Sequence, residues 1–108
     1  MISTHVLDTS RGRPAANVAV TLERQQSGEW QQLARAVTDA DGRARELTSH
    51  PQPGIYRLTF DVAGYFSVLG HEHFYPSVIV VFQIKDADER YHVPLLISPF
   101  GYSTYRGS

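Results

Sequence analysis

Residues 18–24 read Val18-Ala19-Val20-Thr21-Leu22-Glu23-Arg24, and the large apolar side chains of this run occupy every second position. Successive side chains of a β-strand point to opposite faces, so this spacing is typical of a strand with one buried face. An amphipathic helix would instead repeat its apolar positions every three or four residues. The run meets a turn at Ser27-Gly28. It therefore predicts an antiparallel strand.

The same alternation recurs along the chain in short runs that are bounded by turn residues. Further strands are predicted over residues 3–7, 30–38, 43–48, 55–62, 77–84, 90–97 and 102–106. Asp41-Gly42 supplies the positive φ that a tight hairpin needs, and residues 8–14 are predicted to be a turn. Residues 63–73 lack the alternation and could form one or two turns of amphipathic helix. The pattern predicts an all-β sandwich with one short helix.

Length and composition exclude several classes of protein. A chain of 108 residues has room for one domain and one core, because it buries roughly two-thirds of its unfolded surface. The formal net charge is −1, so no long-range field attracts nucleic acid or an anionic membrane. The absence of cysteine excludes disulfides, thiolate metal sites and cysteine nucleophiles. We therefore expect a single domain over residues 1–108 whose partner is a small molecule or another protein.

The chain ends carry no recognisable targeting signal. The first residues lack a basic leader and a long apolar stretch, and the last three, Arg106-Gly107-Ser108, differ from a peroxisomal address. No run approaches about 18 apolar residues. The sequence therefore predicts a cytoplasmic protein.

Three of the five histidines have simple surface interpretations. His50 lies in a proline-rich loop. His71 and His73 could be two metal ligands on one side of an extended segment, but no third ligand is evident, so a surface position is favoured. No metal site and no cofactor are predicted.

His5 and His92 differ because each lies within a predicted strand beside apolar neighbours. An unpaired imidazole is costly to bury, and a histidine near its ordinary pKa of about 6.5 can exchange protons at neutral pH. Two interpretations remain at this point: a histidine bonded to a carbonyl at a sheet edge, or a functional group. Arg43 follows the Asp-Gly turn, where its guanidinium could contact an anion or face water.

One predicted strand is apolar on both of its faces. It reads Val78-Ile79-Val80-Val81-Phe82, whereas an outer strand of an isolated sandwich should alternate with polar residues. We expect its second face to meet another subunit. The alternative is that a loop or the short helix covers it within the monomer.

The C-terminal residues indicate a family. They read Tyr91-His92-Val93-Pro94-Leu95-Leu96-Ile97-Ser98-Pro99-Phe100-Gly101-Tyr102-Ser103-Thr104-Tyr105-Arg106-Gly107-Ser108. This segment resembles the end of the transthyretin-like 5-hydroxyisourate hydrolases, whose hallmark is a terminal Tyr-Arg-Gly-Ser. Thr4 to Asp8 and Asp41-Gly42-Arg43 match two further segments of that family. The resemblance covers essentially the whole chain.

The resemblance implies a fold, an assembly and an active site. The fold would be a transthyretin-like sandwich of two four-stranded sheets, assembled as a homotetramer with sites at an interface between dimers. The catalytic residues would be His5, Arg43, His92 and Tyr105. Arg106 and Ser108 would join His5, Arg43 and Tyr105 in binding the substrate.

The implied reaction is the hydrolytic opening of 5-hydroxyisourate to 2-oxo-4-hydroxy-4-carboxy-5-ureidoimidazoline without a metal. Water must attack a carbonyl, so the site needs a base for the water and a cation for the developing charge. His92 is the expected base, although His5 could exchange roles with it. Arg43 would stabilise the oxygen, and Tyr105 would bond to the ring or relay protons.

Two other functions fit the same fold. A small-ligand carrier of the transthyretin type is the main alternative, because fold does not fix function. The carrier, however, has a different site lining and lacks the Tyr-Arg-Gly-Ser ending. A sandwich used only for protein interaction is a third interpretation, and deletion of the last four residues would then leave its function intact.

Overall fold

The computed structural model describes residues 1–108 and contains nine strands and one helix. In chain order these are β1 (Ile2–Asp8), β2 (Arg13–Pro14), β3 (Ala19–Gln26), β4 (Glu29–Val37), β5 (Arg43–Thr48), β6 (Gly54–Phe60), α1 (Val62–Val68), β7 (Val78–Ile84), β8 (Tyr91–Ser98) and β9 (Gly101–Thr104). The all-β prediction is confirmed. No helix is long and apolar enough to cross a membrane.

The strands form two sheets. In one sheet, β8 pairs parallel with β1 and antiparallel with β9, and β5 and β2 share the other edge of β1. The other sheet has the order β4-β3-β6-β7 and is antiparallel throughout. Two four-stranded sheets were predicted. The first sheet has β2 as a fifth strand, and the second has four strands.

The core lies between the sheets and follows from the alternation within each strand. In β1, Ile2, Thr4, Val6 and Asp8 are buried, whereas the residues between them are only half-buried. The hydrophobic core contains 21 buried residues, contributed by both sheets, the helix and the segment between β2 and β3. One face of β1 therefore packs inward, and the other face is available for a site.

The added strand β2 lies in a segment that was predicted to be only a turn. Asp8 accepts hydrogen bonds from the backbone N–H groups of Ser10 and Arg11, at 3.0 and 3.3 Å. These bonds reverse the chain, so that Arg13 pairs back with Asp8 and Pro14 with Leu7.

The helix α1 begins at Val62, a residue that the sequence had placed at the end of a strand over residues 55–62. The strand ends at Phe60, and Asp61 caps α1 by accepting a hydrogen bond from the N–H of Gly64 at 2.9 Å. Asp is a favoured N-cap because its side chain satisfies a free helical N–H. The predicted short helix is thus confirmed, and Tyr65 and Phe66 bury its inner face.

The last strand ends at Thr104, two residues before the predicted end. Thr104 pairs with Leu95, and the preceding residue of β8, Pro94, has no N–H with which the ladder could continue. The Thr104 hydroxyl donates to the Pro94 carbonyl at 2.7 Å. The tail returns to β8 at Gly107, whose N–H donates to the His92 carbonyl at 2.8 Å.

Strand β7 is an edge strand whose outer face is uncovered. Val78 and Val80 are buried, but Ile79 and Val81 are 49% and 57% exposed. Coverage by a loop or the helix within the monomer was therefore the wrong alternative.

Candidate active site

The outer face of the first sheet brings together polar side chains from β1, β5 and β8. His5 lies opposite Arg43 in the antiparallel β1–β5 pair. Ser3 lies beside His92 in the parallel β1–β8 pair. Because side chains two residues apart share a face, Ser3 and His5 both point away from the core. Three distant parts of the sequence thus converge on one surface.

His92 is half-buried, and one of its ring nitrogens is engaged. Its Nδ1 lies 2.9 Å from the hydroxyl oxygen of Ser3. Its Nε2 makes no hydrogen bond within the chain. The nitrogen available to an incoming molecule is therefore Nε2.

The surroundings of His92 favour its neutral form. Burial lowers the pKa of this imidazole, and the nearby His5 and Arg43 lower it further. Both effects penalise the positive imidazolium, the first by desolvation and the second by repulsion. At neutral pH the side chain is consequently able to accept a proton.

A cavity of about 290 Å³ lies beside His92. All but one of its lining residues are polar or charged, and three of them carry guanidinium groups; the lining residues are Met1, Ser3, Thr4, Arg43, Arg45, Arg90, His92 and Ser108. Arginine offers a planar fork of donors that matches the oxygens of planar anions and carbonyls. The cavity is thus suited to a small, flat molecule rich in oxygen and negative charge.

His5 opens onto an adjoining depression. Asp41, Arg43 and Arg45 line it together with His5 and Pro14. Arg43 and Arg45 border both spaces. They lie on β5, next to His5 on β1, and His92 lies on β8 beyond β1. His5 is close enough to His92 for its charge to affect the pKa of that residue.

Residues at the C-terminal end of the chain line two different cavities. Ser108 lines the cavity beside His92, as predicted. Tyr105 and Arg106 instead line a separate, mainly apolar pocket of about 240 Å³ with residues of β7 and β8. The guanidinium of Arg106 lies 4.7 Å from the ring centre of Tyr91 and donates to the carbonyl of Arg90 at 3.2 Å. Within one chain, Tyr105 and Arg106 are therefore not brought to His92.

No group of three or more His, Cys, Asp or Glu side chains is placed to hold a metal ion. His73 directs its Nδ1 towards the carbonyl of His71, at 3.3 Å, and both rings stack near Phe66. These two histidines lie near the surface and stack on the buried ring of Phe66.

The chain is similar to known proteins over nearly its whole length. The model of the HIUase/Transthyretin family matches residues 2–107. The chain belongs to this family. A relative named 5-hydroxyisourate hydrolase, from Halalkalibacterium halodurans, is 48% identical over 115 residues and is covered over 97% of its length, with 99% of this chain aligned.

Solved structures from both branches of the HIUase/transthyretin family resemble the chain. The 5-hydroxyisourate hydrolase of Klebsiella pneumoniae has a TM-score of 0.88 and 39% identity, over 99% of this chain and 98% of the other. Sea bream transthyretin in complex with thyroxine has a TM-score of 0.94 and 33% identity, over 98% and 93%. The fold is therefore common to both branches, and the lining of the site must distinguish them.

Several residues that line the cavity beside His92 were not predicted from the sequence. Ser3, Arg45 and Arg90 line the cavity with the predicted Arg43 and His92. A signal did exist, since Ser3 and Arg45 lie two residues from His5 and Arg43 on the same strand faces. Arg90 precedes β8, and only the fold brings it to the cavity.

Proposed function

We propose that this chain hydrolyses 5-hydroxyisourate to 2-oxo-4-hydroxy-4-carboxy-5-ureidoimidazoline in urate degradation, without a metal. The observation that carries the proposal is a neutral, half-buried imidazole beside a cavity with three arginines. The Halalkalibacterium halodurans relative and the Klebsiella pneumoniae structure, which match nearly the full chain at 48% and 39% identity, carry the name of this enzyme.

In the proposed reaction, His92 activates water through Nε2. The imidazole removes a proton as the water oxygen bonds to the ring carbonyl carbon. The amide C–N bond then breaks, and the imidazolium returns its proton to the departing nitrogen. The lowered pKa of His92 keeps the imidazole neutral before the first transfer. It also makes the imidazolium a stronger acid for the second transfer.

Arg43 is proposed to bind the heterocycle and to stabilise the oxyanion. It borders both histidines, so its guanidinium can reach the reacting carbonyl whichever histidine takes the proton. A hydrogen-bond donor held near the carbonyl oxygen binds the developing oxyanion of the transition state more strongly than the neutral carbonyl of the substrate. This difference lowers the barrier. His5, which lies opposite Arg43 on β1, either orients the water or exchanges roles with His92.

We further propose that Tyr105 and Arg106 act in a homotetramer. Tyr105 is 60% exposed, so a neighbouring subunit is free to contact its phenol. The uncovered face of β7 at Ile79 and Val81 supports association, because exposed apolar strands are unusual in monomers. Tyr105 would then bond to the ring edge or relay protons, and Arg106 would shape the wall.

The test of the reaction follows the ultraviolet decay of 5-hydroxyisourate, generated in place from urate by urate oxidase, with and without this protein. A chelator is added in a parallel series. The expected result is an acceleration that the chelator does not remove. Folded protein that leaves the spontaneous decay unchanged would refute the proposal.

A carrier function of the transthyretin type is the alternative that the same experiment examines. Pockets for drug-sized ligands are predominantly apolar, whereas Met1 is the one hydrophobic residue lining the cavity beside His92. The cavity therefore favours hydrolysis. Saturable binding of an aromatic ligand without any turnover would favour the carrier instead.

A further inference from the structure

The His92 ring is held from two sides by residues at opposite ends of the chain. On one side, the Ser3 hydroxyl oxygen lies 2.9 Å from Nδ1. This contact follows from the parallel β1–β8 register, which sets Ser3 directly beside His92. The partner is therefore fixed by two strands, not by a mobile loop.

On the other side, the backbone of Gly107 lies against the ring. A Cβ at position 107 would come within 2.6 Å of His92 Cδ2 and 3.1 Å of Pro94 Cγ. Such contacts are far inside van der Waals distance, so a side chain here would displace the ring or the tail. Gly107 does not have a positive φ, and the requirement for glycine is one of space.

The hydrogen bond between Ser3 and His92 can run in either direction, because a hydroxyl both donates and accepts. The cavity resolves the direction, since Arg43, Arg45 and Arg90 line the space next to the ring. A neutral imidazole is more stable when its unprotonated nitrogen, and not an N–H, faces positive charge. This places the proton on Nδ1, where it is donated to Ser3, and leaves the lone pair on Nε2.

We propose that Ser3 and Gly107 are positioning residues that hold His92 as the Nδ1–H tautomer with Nε2 facing the cavity. The inference rests on the proposed function, in which Nε2 removes the proton from water. Neither residue touches the reacting atoms. Ser3 fixes the tautomer, and Gly107 fixes the plane of the ring.

The consequence is a selective loss of turnover. In Ser3→Ala, the wrong tautomer competes and kcat falls about tenfold to a hundredfold, the range seen when groups that orient metal-bound imidazoles are removed. KM changes little, since the arginines that bind the ring are intact. Ser3→Thr restores a hydroxyl at the same position and should recover most of kcat.

Gly107→Ala tests the second contact, and Gly101→Ala is its matched control. Gly101 lies in the same C-terminal segment, but a Cβ there would meet only the Ser98 hydroxyl oxygen at 3.6 Å, an ordinary contact. We expect Gly107→Ala to lower kcat and Gly101→Ala to leave it near the wild-type value. Equal effects of the two substitutions would overturn the role of Gly107.

The deciding measurement is the ¹⁵N NMR spectrum of histidine-labelled protein, with His92 assigned through His92→Gln. Protonated and unprotonated ring nitrogens have well-separated shifts, so the tautomer is observed directly without substrate. We expect a protonated Nδ1 in the wild type and in Ser3→Thr, and a mixed signal in Ser3→Ala. A protonated Nε2 in the wild type would overturn the inference.

This measurement separates the inference from the proposed function. If the protein does not accelerate 5-hydroxyisourate decay but its Nδ1 proton depends on Ser3, the positioning holds and the reaction is wrong. If it accelerates the decay and Ser3→Ala changes neither the tautomer nor kcat, the reaction holds and the positioning is wrong.

Discussion

A histidine accepts a proton from water only while it is neutral, and the environment of His92 maintains that form. Burial lowers the pKa of the ring, and the nearby His5 and Arg43 lower it further. In the proposed mechanism, Arg43 would thus both attract an anionic substrate and help to keep the base unprotonated. Substrate binding and proton abstraction would then both depend on the charge of Arg43.

Removal of the imidazole should abolish most of the activity. We expect His92→Ala to reduce turnover roughly a hundredfold to ten-thousandfold, the usual contribution of a general base. Hydrolysis of 5-hydroxyisourate under saturating substrate is the measurement. Activity within a fewfold of the wild type would assign the base to another residue, and His5→Ala is the companion variant.

The pH dependence should follow the lowered pKa of His92. The active form is neutral, so kcat/KM is constant at high pH and falls as the pH drops through a value below the ordinary 6.5. In Arg43→Gln, one repulsive charge is lost, the pKa of His92 rises, and the fall begins at a higher pH. An unshifted profile in this variant would contradict the electrostatic coupling.

The geometry of the Arg43 guanidinium should matter as well as its charge. Arg43→Lys keeps the positive charge, so the pH profile should stay near that of the wild type. Its kcat/KM should nevertheless fall, because an ammonium group cannot supply the planar pair of donors. Near-normal kcat/KM would show that a point charge is sufficient.

At the level of single residues, the sequence predicted only part of this cavity. His92 and Arg43 were recognisable because their neighbours match a family pattern, and both line the cavity. Ser3 was not recognisable, because a serine in a strand is common and its hydrogen-bond partner, His92, lies 89 residues away. Tyr105 was placed in the site by resemblance, but in the structure it lines another pocket, and its role stays a proposal.

At the level of elements, the turn after β1 is anchored by a buried carboxylate. Asp8 is 0% exposed and accepts hydrogen bonds from the hydroxyls of Ser10 and Tyr65 at 2.6 and 2.7 Å. Burial alone would raise the pKa of Asp8, but these bonds and the backbone N–H groups of Ser10 and Arg11 outweigh it and lower the pKa. The ionised form is therefore the one that the fold stabilises.

Loss of the Tyr65 hydroxyl should destabilise the fold in a pH-dependent way. We expect Tyr65→Phe to lower the free energy of unfolding by about 1.5–3 kcal/mol at neutral pH, as for hydrogen bonds to charged groups. Asp8 has a lowered folded pKa, so its contribution is complete above its ordinary value of 3.8 and is lost as the pH falls through the folded value. Denaturant unfolding at several pH values measures the effect.

Tyr56→Phe is the matched control for Tyr65→Phe. The Tyr56 hydroxyl donates to the neutral carbonyl of Gln52 at 2.6 Å. Its removal should cost about 1 kcal/mol with little dependence on acid pH. The same pH dependence in both variants would show that Asp8 is not the cause.

The strands were predictable from the sequence, whereas the shortest elements were not. Every predicted strand lies within two residues of its observed bounds, because alternation over five or more residues is a strong signal. β2 has only two residues, too few to show a period. β9 ends where Pro94 on the neighbouring strand β8 has no N–H to continue the ladder, and alternation within β9 cannot reveal this.

At the level of the whole molecule, the uncovered face of β7 provides a test of assembly. We expect Val81→Glu to dissociate the proposed tetramer, because it would bury a charge in the interface. Val37→Glu is the control, since Val37 is 58% exposed against 57% for Val81 but lies on β4, at the opposite edge of the same sheet. Sedimentation equilibrium of the three proteins gives the masses. A tetramer in both variants would exclude β7 from the interface.

The parallel pairing of β1 with β8 is expected to form late during folding. The sheet of β4, β3, β6 and β7 joins strands by antiparallel pairing, but β1 has to wait for a strand that is synthesised almost at the end of the chain. Closing such a long loop is slow, and until then the edge of β1 is open to other nascent chains. In refolding experiments, hydrolytic activity should therefore return with the slowest kinetic phase, after most of the strand signal has already formed.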